Sequence, residues 1–71
     1  MSDPAITIQL NGKPHPLAAP ATLAELLASL GLAGKPVVVE LDLEAVFPRD
    51  FATTSIHDGS RVEIVTLAAG G

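Results

Sequence analysis

The 71-residue sequence predicts an α+β fold, a mixed sheet of four to five strands packed on one main helix. Three observations carry that expectation. Residues Ala5 to Leu10 alternate in polarity and run into Asn11-Gly12, the pattern of a half-buried strand entering a two-residue hairpin. Leu23, Leu26, Leu27 and Leu30 recur at helical spacing behind a capping sequence. Arg61 to Leu67 alternates again, with Val62, Ile64 and Thr66 on one face and Glu63, Val65 and Leu67 on the other. A leucine stripe needs a sheet to cover it, so helix and strands require each other.

In the first strand Ile6, Ile8 and Leu10 share a face. Asn11-Gly12 suits a type I′ turn, which needs positive φ at both central residues. The second strand then runs from Lys13 to about Ala18. With this turn, Leu10–Lys13 and Ile8–His15 become hydrogen-bonded pairs, and Pro14 and Pro16 fall where the missing amide faces away from the first strand. Proline is tolerated there only if nothing pairs on that side, so the second strand is predicted to be a sheet edge. Pro20 breaks the chain, and Thr22-Leu23-Ala24-Glu25 reads as a capping box. A helix of about two and a half turns follows, with Gly31 placed for a left-handed cap. Val37 to Leu41 is a strand whose unbroken Val37-Val38-Val39 suggests a central position. Asp42-Leu43 connects it to a short return strand, Glu44 to Phe47, which Pro48-Arg49-Asp50 stops. Phe51 to Ile56 reads as irregular or as one helical turn, and His57-Asp58-Gly59-Ser60 as a polar turn.

Composition narrows the function. A chain this short holds one small core and has little material for a deep, dry active site, which favours a carrier, a binding module or a subunit over a self-sufficient enzyme. Its aromatic residues are Phe47 and Phe51, too few for the stacking platforms of single-stranded nucleic-acid binding. A net charge of −4 opposes phosphate-backbone binding. The absence of cysteine excludes disulfides, thiolate catalysis and cysteine-ligated zinc, and fits a reducing cytoplasm. No apolar run approaches the roughly 20 residues of a membrane span, and Met1-Ser2-Asp3-Pro4 carries no basic leader.

The whole chain, 1–71, reads as one domain, with 68–71 as a flexible C-terminal tail. After Leu67 come Ala68, Ala69, Gly70 and Gly71, with no side chain larger than a methyl. Fully extended, four residues reach roughly 13 Å. A terminal Gly-Gly alone is commonly no more than a frayed end. On a suitable domain it acquires another use: a backbone without Cβ atoms enters a narrow channel, and a carboxylate at its end is open to attack.

The order hairpin, helix, strand, short strand, long strand resembles the β-grasp arrangement of ubiquitin, with the last strand returning parallel to the first. Within that fold the sequence resembles the ThiS family of thiamine-pathway sulfur carriers. The likeness lies in Ile6-Thr7-Ile8-Gln9-Leu10-Asn11-Gly12, in Ala21-Thr22-Leu23-Ala24-Glu25-Leu26-Leu27, in Val39-Glu40 leading to Phe47-Pro48-Arg49, in Asp58-Gly59-Ser60-Arg61-Val62-Glu63-Ile64-Val65, and in Gly70-Gly71. The chain departs from the family at Asp42-Leu43, where Asn-Gly is frequent, at Pro16, and at Ala69, where many members have a third glycine or another small residue.

The resemblance implies a chemistry. A partner adenylyltransferase, similar to ThiF and to the E1 enzymes, uses ATP and magnesium to join AMP to the Gly71 carboxylate. Sulfur from a donor such as a cysteine desulfurase relay displaces AMP and leaves a thiocarboxylate. Thiazole synthase (ThiG-like) then takes the sulfur. On this reading the chain binds no cofactor and is a co-substrate with no catalytic residue of its own. Gly71 is the modified terminus, Gly70, Ala69 and Ala68 give access, and Val65, Leu67 and Phe47 are candidates for partner docking. Three alternatives stand beside it: the small subunit of molybdopterin synthase, which is usually longer and richer in aromatic residues in its first strand and helix; a protein modifier joined through Gly71 to lysine; and a β-grasp interaction module.

Other residues have plainer readings. His15 shares a face with Ile8 and reads as a rim residue of the core; His57 reads as a turn residue. The two are too far apart, and too few, for a metal site. Asp42 and Glu44 read as solvated charges, and Arg49 as a structural partner of Asp50.

Overall fold

The computed structural model describes residues 4–67. In chain order, β1 (Ile6–Leu10) and β2 (Lys13–Leu17) form the hairpin, β3 (Ala21–Thr22) leads into α1 (Leu23–Ser29), and β4 (Val37–Leu41) turns into β5 (Glu44–Val46). A 3₁₀ helix (Pro48–Thr53), β6 (Ser55–Ile56) and β7 (Arg61–Thr66) complete the described chain. The main sheet has the order β2-β1-β7-β4-β5, with β7 parallel to β1 and the other pairs antiparallel. The α+β class and the mixed sheet are those predicted.

The hairpin has the predicted register, Ile8 opposite His15 and Leu10 opposite Lys13, and β2 is an edge. Asn11 and Gly12 both take positive φ, 50° and 82°. The Thr22 hydroxyl accepts from the Glu25 N–H at 3.2 Å, and the Thr22 N–H donates to the Glu25 carboxylate at 2.9 Å, which closes the capping box. The helix is seven residues long, shorter than its leucine spacing suggested, because Leu30 serves as the C-cap and Gly31 turns left-handed at φ 75°.

Ile6, Ile8, Val39, Val62 and Ile64 from the sheet meet Leu23, Leu26 and Leu27 from the helix and Ile56 from β6 to form the core. Among side chains buried in the described residues, none leaves a nitrogen or oxygen unpaired.

β4 is central, as the valine run predicted, with β7 and β5 as its neighbours; Val39 is buried and Val38 is exposed on the side away from the helix. Two local features differ from expectation. Pro48 starts the 3₁₀ helix instead of only stopping a strand, since proline at a first helical position has no amide to lose. Its half-buried Phe51 packs against the core. The segment read as irregular also contains β6, which pairs with β3 through Ala21–Ile56 and Thr22–Ser55. Two-residue strands carry no readable period.

Asp42 and Leu43 take φ of 51° and 73°, so this connection is also a turn with both central residues left-handed. Leucine is uncommon in that region. Here its side chain stands in solvent, 70% exposed, while the Asp42 carboxylate accepts from the Arg61 N–H at 2.8 Å.

Candidate functional site

The site is the end of the sheet where β7 hands over to the C-terminal segment. Strand alternation turns Val62 and Ile64 inward and Glu63 and Val65 outward. Val65 lies opposite Val38 of β4. Val39 lies opposite Val46 of β5, and continuing that register by one residue sets Phe47 beside Val38. Phe47, Val38 and Val65 therefore make a row across three strands on the outer face, with Leu67 two residues beyond Val65. All four are about half exposed: Phe47 59%, Val65 58%, Leu67 50% and Val38 47%. Side chains of this size in one exposed row form a contact surface of the kind that interaction sites use.

Polar groups border this row. Glu40 of β4 lies directly opposite Glu63 of β7. The Arg49 guanidinium sits 5.2 Å from the centre of the Phe47 ring and 3.9 Å from the Asp50 carboxylate, where both charges are largely in water. Such an exposed ion pair contributes little to stability. Below the end of β7 a groove of about 540 Å³ is lined by Leu27, Leu32, Lys35, Pro36, Val37, Phe51 and Leu67, among others. The Leu67 N–H donates to the Pro36 carbonyl at 2.9 Å.

Gly71, Gly70, Ala69 and Ala68 lie outside the described residues. Val65 and Phe47 come together on the outer face, Leu67 lines the groove with Leu27 and Phe51, and Val38 is the member that sequence reasoning missed. Its signal was strand alternation, which puts Val38 opposite in facing to Val39.

Asn11 also does more than turn the chain. Its N–H donates to the Val62 carbonyl at 2.9 Å. Its side-chain amide then accepts from the Ile64 N–H at 2.8 Å and donates to the Ile64 carbonyl at 3.2 Å. The amide thus extends the pairing of β1 with β7 by one step after β1 has turned away.

His15 and His57 stay apart in β2 and in the turn before β7. Among the described residues no group of three or more His, Cys, Asp or Glu could hold a metal ion. Asp58 and Gly59 are turn chemistry: the Asp58 carboxylate accepts from the Thr7 N–H, and the Gly59 N–H donates to the Thr7 carbonyl.

Comparison with known proteins agrees with this geometry. The ThiS family model matches residues 8–71. The chain is 39% identical over 64 residues to the sulfur carrier protein ThiS of Thermus thermophilus, covering 90% of this chain and 98% of that one. It is 36% identical over 62 residues to the thiazole synthase of Paramagnetospirillum magneticum, covering 87% of this chain but spanning only 19% of that much longer protein. The crystal structure of the thiamine biosynthesis protein ThiS from Geobacter metallireducens superposes with a TM-score of 0.80 at 32% identity, covering 93% of this chain and 100% of that one. The chain belongs to the ThiS family.

Proposed function

We propose that this chain is a sulfur carrier of thiamine biosynthesis and that the Gly71 carboxylate is the group it carries sulfur on. The observation that supports this most is the reach of the family match, which runs through the final residue, Gly71. The carboxylate oxygen attacks the α-phosphorus of ATP in an adenylyltransferase partner, pyrophosphate leaves, and an acyl adenylate forms. Adenylation converts an unreactive carboxylate into an electrophile with a good leaving group. A donor persulfide attacks the acyl carbon and AMP departs. A second thiol then cleaves the sulfur–sulfur bond, which leaves a thiocarboxylate on Gly71 and a disulfide on the donor side. Thiazole synthase receives the sulfur.

ATP, magnesium and the catalytic groups belong to the partners. This chain supplies the acyl end and the surface that partners hold, for which Phe47, Val38, Val65 and Leu67 offer the apolar row nearest the terminal segment. The similarity to the Paramagnetospirillum magneticum thiazole synthase supports that enzyme class as a partner. No helix among the described residues is long and apolar enough to cross a membrane, and we assign the work to the cytoplasm.

Intact mass spectrometry tests the reading. With ATP, magnesium, the adenylyltransferase and a sulfur donor, the chain should gain about 16 Da, one oxygen replaced by sulfur at the activated acyl carbon. Fragmentation should locate the gain on Gly71, and a chain lacking Gly71 should not be charged. An unchanged mass, or a gain located elsewhere, overturns the proposal.

A further inference from the structure

Two turns carry the same kind of dipeptide, a residue with a short carbonyl side chain followed by glycine: Asn11-Gly12 between β1 and β2, and Asp58-Gly59 before β7. Both invite one reaction. The glycine nitrogen attacks the side-chain carbonyl carbon of the residue before it, and glycine has no Cβ to stand in the way. The two turns hold the reacting groups differently. At Asp58 both ends are tied to Thr7: the carboxylate accepts from the Thr7 N–H at 2.8 Å, and the Gly59 N–H donates to the Thr7 carbonyl at 2.9 Å. At Asn11 one end is tied. Its side-chain amide accepts from the Ile64 N–H at 2.8 Å and donates to the Ile64 carbonyl at 3.2 Å. The Gly12 N–H, in contrast, has no partner among the described residues, and both turn residues are exposed.

We propose that Asn11-Gly12 is a self-modification site, at which the Gly12 nitrogen displaces ammonia from the Asn11 side chain, and that the two hydrogen bonds to Ile64 are the gate that sets its rate. The Gly12 nitrogen gives up its proton to solvent as it attacks Cγ of Asn11. The bond from Cγ to Nδ2 breaks, and Nδ2 takes up a proton and leaves as ammonia. A five-membered imide remains. Water then opens the ring. Attack at the former side-chain carbonyl gives aspartate; attack at the main-chain carbonyl gives isoaspartate, whose main chain runs through the former side chain and is one carbon longer. The net change is one water consumed and one ammonia released, with no oxidant or reductant. The nucleophile already stands in water. Attack requires the Asn11 side chain to swing from β7 back toward its own main chain, so both bonds to Ile64 break first.

The products act on the fold at a defined place. Aspartate keeps an acceptor for the Ile64 N–H, loses the donor to the Ile64 carbonyl and sets a negative charge beside that carbonyl. Isoaspartate does more. The two-residue turn fixes the hairpin register, and a longer main chain there shifts it. Pro14 and Pro16 then lose the positions at which their missing amides face away from β1. Either product loosens the seam between β1 and β7 at Ile64, a core residue. Nothing in this chain reverses the change, so each copy is converted once. The proposal uses only the hairpin and β7 and stands apart from the sulfur-carrier reading.

The test incubates the full chain at mildly alkaline pH, with and without denaturing urea, and follows it by peptide mapping. Conversion at Asn11 raises the mass by about 1 Da as the amide becomes an acid, and chromatography separates aspartate from isoaspartate. The rate at Asn11 should be about tenfold or more lower in the folded chain than in the unfolded one. In urea too dilute to unfold the chain, it should rise in step with hydrogen exchange of the Ile64 amide. Asp58→Asn places the same dipeptide in the turn where both groups are held. In that variant position 58 should convert about tenfold or more slowly than position 11 while folded, and at a similar rate once unfolded. The purified isoaspartate form should exchange its Ile64 amide faster than the parent. No conversion at Asn11 in either condition, equal rates folded and unfolded, a rate that ignores exchange at Ile64, equal conversion of positions 11 and 58 in the folded variant, or unchanged Ile64 exchange in the isoaspartate form overturns the proposal.

Discussion

On one side of the five-stranded sheet Ile8, Val39, Val62 and Ile64 meet the helix and lose almost all contact with water; on the other, Val38 and Val65, next to Val39 and Ile64 in the same strands, stand about half exposed. The chemistry of the side chains is the same on both faces. The difference is made by strand alternation and by a single short helix, which can cover only one face. A chain of 71 residues has few apolar side chains to spare, so an apolar row left in water is a feature of the surface and not of the core. The inner face holds the fold together, and the outer face keeps an exposed apolar row.

The contrast can be broken most directly by truncating one residue on each face. Ile8 is fully buried between the hairpin and the helix, and Ile8→Ala should cost about 2–5 kcal/mol, from lost transfer energy plus the cavity. At roughly 0.05–0.15 kcal/mol per residue the whole domain is worth on the order of 10 kcal/mol or less, so this variant should be substantially unfolded in mild denaturant. Val65→Ser on the outer face should change stability by no more than about 0.5 kcal/mol, while weakening capture by the adenylyltransferase or thiazole synthase. Urea denaturation of both variants checks the pair. Equal losses of stability would mean that the outer row is structural.

Asn11 sharpens the comparison, because it serves the fold from the boundary between the two regions. Asn11→Ala puts a residue with no stabilising side-chain bond at φ 50° and strips two hydrogen bonds from Ile64. The expected cost is about 1–3 kcal/mol, the usual range for leaving part-buried polar groups unpaired. Asn11→Asp keeps an acceptor for the Ile64 N–H and loses only the donor, so it should fall between parent and alanine. Hydrogen exchange at the Ile64 amide reads the bond itself: exchange should quicken in Asn11→Ala and change little in Asn11→Asp.

Which parts of this were legible in the sequence follows from the length of the signals. The hairpin, the capping box, the leucine stripe and the alternation of β7 each extend over several residues with one period. Asn11-Gly12 set the hairpin register, and Pro14 and Pro16 agreed with it, because a missing amide is tolerated at only one of the two alternating positions. β3 and β6 were not legible, since two-residue strands have no period and are held by the contacts of their neighbours. The 3₁₀ helix was half legible, because Pro48 marks equally the end of a strand and the start of a helix. At the site, Gly70-Gly71 stood out by composition and Val65 and Leu67 by alternation. Val38 did not, because a run of three valines has no alternation of polarity to tell which residue faces which side. The two bonds from the Asn11 side chain to Ile64 span 53 residues, and no local pattern announces them.

The smallest expected effect lies beside the apolar row, where Glu40 and Glu63 face each other across β4 and β7. Like charges directly opposite are unfavourable by a few tenths of a kcal/mol up to about 1 kcal/mol. Arg61 lies two residues from Glu63 on the same face. Glu63→Gln should therefore stabilise the free domain by about 0.2–1 kcal/mol at low salt, and the gain should shrink as salt screens the exposed pair. Glu40→Gln should give a similar gain, and the double variant little more than either, since the repulsion can be removed only once. If neither substitution stabilises the domain, Arg61 already neutralises the pair and the outer face is as settled as the inner one. If both do, the outer face carries an arrangement that the free fold would be better without. The place where it becomes favourable is then opposite a cation on a docked partner, and the same two variants should bind that partner more weakly while folding more stably.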